Sequence, residues 1–545
     1  MRAKSPVPVA TSKMNLFLIL ALCAFVIYWL LVKPLTYWKN KGIPQFSVSK
    51  LLWENVKSIL QLYPMVDSVT TMYNGFPNAR YCGVYQIIKP ILLIKDPELI
   101  KQVTVKDFEY FVDRSQFANE DDEPLFGKNL ASLKGERWKD MRATLSPSFT
   151  SSKMKIMFCL MSECADNFTQ HFQNKNSEIV VVELKDIFTK YTNDIIASVS
   201  FGITCDSMKD PENKFYLMGK QVANFGGFWR TLSILLKISA PRLAKFLGIK
   251  LFSNEVTTFF SNIVKNNMAE REQKGIVRPD MIHLLMQAKK GTLKHEENNQ
   301  TQVDAGFAVI EESSIGKEEK RQKRQLTDDD IIAQALMFFL AGFESVSILI
   351  SFTLYELAIN PLIQQKLQEE VDNALMECNG TITYEILMKM QYLDMVISET
   401  LRKWLGNAII DRICVKPYTI QPVNESESPI QVNVGDSIGF SLYSIQRDEK
   451  YFPNPDCFDP ERFSAENKVN IVPYTFIPFG VGPRSCIANR FALLETKILL
   501  FHVMKNLDIV VVEKSVVPVR LSPKNLNPTA QDGFWFGLKP RKRYD

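Results

Sequence analysis

Residues 479–488 read Phe479-Gly480-Val481-Gly482-Pro483-Arg484-Ser485-Cys486-Ile487-Ala488. A cysteine that follows a Gly-rich turn and opens a long, mostly apolar run is predicted to present its thiol at a helix N-terminus. Backbone N–H groups and the helix dipole there favour the thiolate. The two glycines allow a tight turn with positive φ, Pro483 stiffens it, and Arg484 stands where a guanidinium can reach a carboxylate of a bound ligand. A thiolate presented this way is an iron ligand or a nucleophile, and a buried free cysteine is the plain alternative.

The order Phe, Gly, any, Gly, any, Arg, any, Cys resembles the haem-binding loop of the cytochrome P450 family. That resemblance implies a haem (iron protoporphyrin IX) whose iron is held by Cys486, with Phe479 and Arg484 also at the cofactor. Further motifs stand in the same order as in that family. Gly135 to Arg142 is predicted to begin a helix with Trp138 and Arg142 at i and i+4, on one face. Taken alone this is an amphipathic helix with an exposed arginine; by resemblance both side chains meet a haem propionate.

Thr327 followed by Asp328, Asp329 and Asp330 supplies an N-cap and a negative first turn, and the helical pattern runs to Asn360, where Pro361 stops it. Its interior is so apolar that a second membrane span competes with a buried core helix. Gln334, Glu344 and Glu356 break the run and favour the core helix. Ala341-Gly342-Phe343-Glu344-Ser345 within it resembles the family's oxygen-binding segment, in which an acid and a hydroxyl hold waters that deliver protons. The implied catalytic pair is Glu344 and Ser345, with serine in the usual threonine position and so without the methyl that fixes a rotamer.

Glu399 and Arg402 stand at i and i+3, and with Arg462 they resemble the family's buried structural network. Departures from the pattern are Ala488 for a usual glycine, Leu405-Gly406 for prolines, and Gln446 for a common histidine. Candidate substrate-pocket residues are Phe126, Phe228, Phe338, Ala341, Ile409 and Phe534, each of which also reads as core. The wording around Asp411-Arg412-Ile413-Cys414 and Gly306 to Glu312 resembles insect microsomal members, among them the ninth insect family.

The fold class implied is mainly α with a smaller β region, preceded by a single N-terminal transmembrane helix. Leu16 to Val32 is an unbroken apolar run of seventeen residues, about 26 Å as a helix. It is too long for a cleaved signal and lacks a small-x-small site, so residues 1–33 read as an uncleaved anchor. Residues 34–48 read as a basic, proline-containing hinge that leaves the membrane stiffly. Residues 49–545 form the haem-binding domain, starting with strand-like pieces at 84–88 and 90–94. Residues 418–443 read as hairpins, and residues 289–325 as a polar, solvated surface insertion. Phe225 to Trp229, aromatic and Gly-rich, reads either as an apolar lid or as core.

The 545 residues are 46% hydrophobic and 23% charged, with a net charge of +5 that gives nucleic acid binding no support. Nine cysteines without a Cys-x-x-Cys, and four dispersed histidines, fit neither a zinc site nor a disulfide framework, so any metal arrives inside a cofactor.

The reading is a haem-thiolate monooxygenase that inserts one oxygen atom from dioxygen into a hydrophobic xenobiotic or endogenous lipid-like or hormone-like molecule. By resemblance, its electrons come from NADPH through a flavoprotein reductase, with cytochrome b5 as a second partner, on a face bearing Arg137 and Lys139. Charges flank both ends of the anchor and leave sidedness open. The resemblance implies the endoplasmic reticulum membrane with the catalytic domain on the cytosolic side. A haem-dependent isomerase and a two-span membrane protein are the alternatives.

Overall fold

Thr327 caps the helix that forms the spine of this protein. Its hydroxyl accepts the N–H of Asp330, and the Asp330 carboxylate answers the Thr327 N–H, a reciprocal box that fixes the helix start. The computed structural model describes residues 9–116, 120, 123–175, 177–224, 226–292, 307–308, 326–404, 408–425, 427–525 and 527–541. Within these, the chain forms α1 (Val9–Ile27), α2 (Val48–Ile59), α3 (Pro124–Gly127), α4 (Gly135–Leu145), α5 (Ser151–Gln173) and α6 (Leu184–Phe201). Then come α7 (Lys214–Ala223), α8 (Phe228–Ser239), α9 (Pro241–Phe246), the spine α10 (Asp328–Ile359), α11 (Gln391–Trp404) and α12 (Asn489–Asn506). Further helices, among them Asn254–Lys274 and Pro361–Glu377, connect them.

α10 is buried along most of its length and packs on α6, α11 and α12. Its apolar residues serve a protein core, which answers the two-span alternative by burial: 61% of its most apolar window lies inside the protein. The helix from Asn15 to Asn40 is also long and apolar enough to cross a membrane, and none of its apolar window is buried. The helical rod does not stop at residue 33. It continues through a wider turn at Tyr28–Val32 and a tight turn at Lys33–Thr36. Trp38 then buries completely, and Lys41 pairs with Asp436 at 3.0 Å, so residues 34–48 are docked on the domain.

The β region is small. β1 (Tyr81–Gln86) and β2 (Lys89–Ile94) form an antiparallel hairpin, and β5 (Tyr418–Ile420) pairs with β6 (Ile430–Val432). The hairpin reading of 418–443 holds only for that last pair. β7 (Ser437–Phe440) leaves it to lie parallel to β2 and antiparallel to β4 (Ile410–Ile413). β3 (Val180–Glu183) stands between α5 and α6 because it adds to β9 (Trp535–Pro540), which also pairs with β8 (Leu507–Val510). The insertion at 289–325 lies outside the described residues except at its start and at Phe307–Ala308. Leu405-Gly406 and Phe225 lie outside them too.

Candidate active site

The 479–488 loop is closed by its own backbone. The Gly480 N–H donates to Ile477 O at 2.9 Å, Ser485 N–H to Gly482 O at 2.9 Å, and Cys486 N–H to Phe479 O at 2.9 Å. Both glycines have positive φ, 72° at Gly480 and 69° at Gly482. At Gly482 a Cβ would stand 2.0 Å from the carbonyl oxygen of Thr104, so the loop packs there as only glycine allows. α12 starts three residues beyond Cys486, and the Asn489 side chain donates to the Cys486 carbonyl at 2.9 Å. Ala488 has φ −99°, a region open to any residue, so alanine there adds no strain.

Cys486 is exposed although protein surrounds it. Burial pushes its thiol up, while the Ala488 N–H, Arg142 and Arg114 pull it down. A metal cation bound to the sulfur would tip this balance toward thiolate.

Around this loop gather Arg114, Arg142, Arg412 and Arg484. Arg142 donates to Ser485 O at 2.9 Å, and Arg114 donates to Arg484 O at 2.8 Å. Arg484 donates to Val112 O and Leu133 O, both at 2.8 Å, and its guanidinium stacks 3.9 Å above the Trp138 ring. Burial and the neighbouring Arg114 push Arg484 down to about 8, and burial brings Arg142 to about 10. Arg412 is pushed well down by burial, Arg114 and Arg484. Among the described residues the carboxylates acting on this cluster are Asp113 and Asp411, two against four guanidinium groups.

Several N–H groups of the cluster are buried without an acceptor: Nε of Arg114, Arg142 and Arg412, and Nη2 of Arg412. Orphaned guanidinium groups in surplus call for a dianion. The two propionates of a porphyrin fit that requirement, and Cys486 fits its iron.

On α10, Ala341 and Ser345 stand one turn apart and are exposed in the middle of a mostly buried helix. The Ser345 hydroxyl donates back to Ala341 O. Glu344 turns to the side and pairs with Lys185 of α6 at 3.1 Å; Lys185 also donates to Thr189 Oγ1 at 3.0 Å and Ser347 Oγ at 2.9 Å. The pair borders a polar cavity of about 400 Å³ shared with Glu183, Asp186, Tyr216 and Phe534.

The expected charged network forms. Arg402 grips Glu399 with two bonds, 2.7 and 2.9 Å, both side chains fully buried, and Arg462 approaches Glu399 at 3.6 Å. Arg402 further donates to the carbonyls of Gln446 (3.0 Å) and Pro455 (2.7 Å). Gln446 holds Leu401 O through its amide, and its side-chain oxygen accepts the Ile477 N–H at 3.0 Å. Its amide thereby ties α11 to the chain entering the cysteine loop.

The pocket candidates divide. Phe338 is half-buried, edge-on to Phe149, and Ala341 is open. Phe126 is buried and stacked on Phe252 at 4.8 Å. Ile409 packs in a satellite cluster with Ala408 and Tyr443. Phe534 is buried against Phe352. Phe228 is exposed at the start of α8 beside Trp229. Lys139, expected on a docking face, is buried between Glu109 (3.0 Å) and Glu136 (3.1 Å), and Arg137 pairs with Glu120 at 2.6 Å. Both cations are already compensated. Sequence reasoning missed Arg114 and Arg412 beside the cysteine loop and Lys185 as the partner of Glu344; none of the three lies in a local pattern that marks it.

A sequence profile described as Cytochrome P450 matches residues 50–531. The chain is 45% identical over 520 residues to "Cytochrome P450 9e2" of Blattella germanica, covering 93% of this chain and 94% of that one. It is 38% identical over 536 residues to "Probable cytochrome P450 9f2" of Drosophila melanogaster, covering 96% and 99%. It is also 35% identical over 495 residues to "Cytochrome P450 6k1" of Blattella germanica, covering 90% of each.

Proposed function

The chain belongs to the cytochrome P450 family, and from that premise we propose that this haem-thiolate monooxygenase oxidises a hydrophobic small molecule delivered from a membrane. The proposed substrate is a xenobiotic or an endogenous lipid-like or hormone-like compound. The observation that carries the reading is Cys486, exposed yet surrounded by protein, beside four arginines and, among the described residues, two carboxylates. When bound, haem supplies activation of dioxygen with electrons that originate from NADPH, one oxygen atom entering the substrate and the other leaving as water. Cys486 would hold the iron. Arg114, Arg142, Arg412 and Arg484 would hold the propionates, with Trp138 beneath Arg484 and Phe479 closing the loop.

We infer that the openings at Cys486 and at Ala341 and Ser345 belong to one hollow, whose apolar wall includes Phe338 and Ala341. Glu344, held by Lys185 at the edge of the polar cavity, would pass protons inward from water, and Ser345 would orient them. Glu399, Arg402 and Arg462 would keep the thiolate side fixed.

Exposed Trp229, Leu243 and Phe246 lie on α8 and α9, with exposed Leu247 just after α9, and exposed Trp53 and Leu60 lie on and just after α2. A Gln61–Thr231 hydrogen bond of 2.8 Å joins the two regions. This supports a second lipid contact beyond α1. It fits an endoplasmic reticulum protein with its catalytic domain on the cytosolic face, served by a flavoprotein reductase and cytochrome b5.

The test is the reduced, carbon monoxide-bound spectrum of wild type and Cys486→Ser, followed by turnover under heavy dioxygen with a panel of apolar and ionic compounds. A red-shifted Soret band lost in the variant, with label incorporated only into apolar compounds, is expected. Label entering ionic compounds equally would overturn the substrate reading.

A further inference from the structure

The polar stretch 289–325 contains one apolar run, Gly306-Phe307-Ala308-Val309-Ile310, set among charges. Such a run is out of place in a solvated insertion, because apolar side chains gain by leaving water. Phe307 and Ala308 show where part of it goes. Ala308 is 3% exposed. The Phe307 ring, though partly open, has its centroid 5.2 Å from that of Phe463 and 5.5 Å from that of Phe476. Those two rings stand 4.7 Å apart, so the three form a closed aromatic cluster.

A charge fixes the register of this contact. The Phe307 N–H donates to Oδ2 of Asp394 on α11 at 2.7 Å, while Oδ1 of the same carboxylate lies 3.1 Å from the ammonium of Lys497 on α12. Lys497 is fully buried. Burial pushes the carboxyl of Glu370, on the helix Pro361–Glu377, up, and the N–H groups of Tyr392 and Leu393 and the Lys497 ammonium pull it back. Asp394 is thus held from the inside and offers its outer oxygen to one backbone N–H, a charge-assisted bond with a defined partner. The seat adjoins the parts that hold Cys486. Phe476 directly precedes Ile477, whose carbonyl accepts the Gly480 N–H at 2.9 Å and whose own N–H donates to Gln446 at 3.0 Å. Phe463 directly follows Arg462, the outer partner of Glu399. Lys497 lies on the helix that starts three residues after the cysteine.

We propose that Phe307 is a positioning residue for the Cys486 loop: seated against Phe463 and Phe476, it restrains the chain entering the loop and so holds the sulfur in place. Without the Phe307 ring, Phe476 loses packing on one side. Ile477 gains freedom with it, and the Gly480 turn that closes on the Ile477 carbonyl loosens. The insertion is then a working part of the thiolate side, joined to it at Phe307. The sulfur's role as iron ligand rests on the haem-thiolate reading; the seating of Phe307 rests on the geometry.

The test uses the full haem-loaded chain, reduced and bound to carbon monoxide in mild urea. Under these conditions the red-shifted Soret band of a thiolate-held haem converts to the band of a neutral ligand. Phe307→Ala is expected to speed that conversion roughly ten-fold, with the midpoint of urea unfolding nearly unchanged. Phe307→Tyr, which keeps the ring, should stay near wild type.

A second readout does not depend on haem. Amide exchange followed by mass spectrometry should find the residue 307 N–H at least ten-fold slower than in an unstructured peptide, and fast in Phe307→Ala. Fast exchange in the folded wild type would overturn the seating. Unchanged conversion in Phe307→Ala, or faster conversion matched by an equal loss of global stability, would overturn the positioning role. A chain without any haem band would refute the haem reading instead, and the exchange arm would still decide the seating.

Discussion

Replacing Arg412 by methionine should act in opposite directions on the empty and the haem-loaded chain. Arg412 lies on β4, fully buried, with Nη1 donating to Asp411 O at 2.8 Å and with Nε and Nη2 meeting no acceptor. Burial, Arg114 and Arg484 all disfavour its charge. In the empty chain the substitution removes an uncompensated buried cation, which should leave stability unchanged or raise it by about 1–3 kcal/mol. In the loaded chain Nε and Nη2 would each give a propionate a charge-assisted bond worth about 1.5–3 kcal/mol.

The gross loss on substitution is therefore about 3–6 kcal/mol, and the relieved repulsion offsets part of it. A net loss near 3 kcal/mol is roughly a hundred-fold weaker hold on haem. Urea unfolding with and without haem, and transfer of haem to an acceptor globin, measure the two arms. Arg412→Lys should fall between, since it keeps the charge without the fork. Equal destabilisation of both forms by Arg412→Met would mean that the arginine is structural, and the cradle would lose its main support.

Other substitutions test other parts of the site. Lys185→Met frees Glu344 from its 3.1 Å partner; ligand-induced Soret shifts should survive, while hydrogen peroxide released per NADPH rises several-fold. Arg402→Met leaves Glu399 buried with only the more distant Arg462 and one backbone N–H, and should cost about 3–5 kcal/mol in urea unfolding. Burial pushes His502 down to about 4 against the pull of Asp166. The unfolded chain gains its proton near pH 6.5, so this stability is complete above that pH. It is lost as pH falls toward 4, about 3 kcal/mol in all. His502→Gln, which can still meet Ser162, should flatten the slope of stability over that window.

Local chemistry was legible in the sequence and distant pairing was not. Thr327 with its aspartates announced the spine helix, and the Gly-x-Gly-Pro turn announced the loop, because caps and turns are decided by residues a few positions apart. The Glu399–Arg402 pair was legible for the same reason. β7 was misread because its partner β2 lies more than three hundred residues earlier, and β3 was missed because only the C-terminal β9 makes it a strand. Arg114 sits in a loop and Arg412 on a short strand, so only the folded chain brings their guanidinium groups together. Lys139 shows the converse. Its i,i+3 neighbour Glu136 was visible, but the burial that makes the pair matter was not.

The two sides of the site are held in different ways, and this bears on the serine at 345. On the side of the Cys486 loop, Glu399, Arg402, Gln446 and Arg484 are almost wholly buried and multiply bonded. On the opposite side the Lys185–Glu344 pair remains partly exposed, 18% and 27%, at the rim of a polar cavity. Changes on the thiolate side should therefore appear as lost cofactor, and changes at Glu344 as wasted electrons with the cofactor retained. Serine lacks the methyl that restricts a threonine rotamer, which on its own predicts looser proton handling. The bond from the Ser345 hydroxyl to Ala341 O supplies the missing restraint from the helix backbone. Ser345→Thr should therefore change coupling little, whereas Ser345→Ala removes the hydroxyl and should uncouple oxygen use from product.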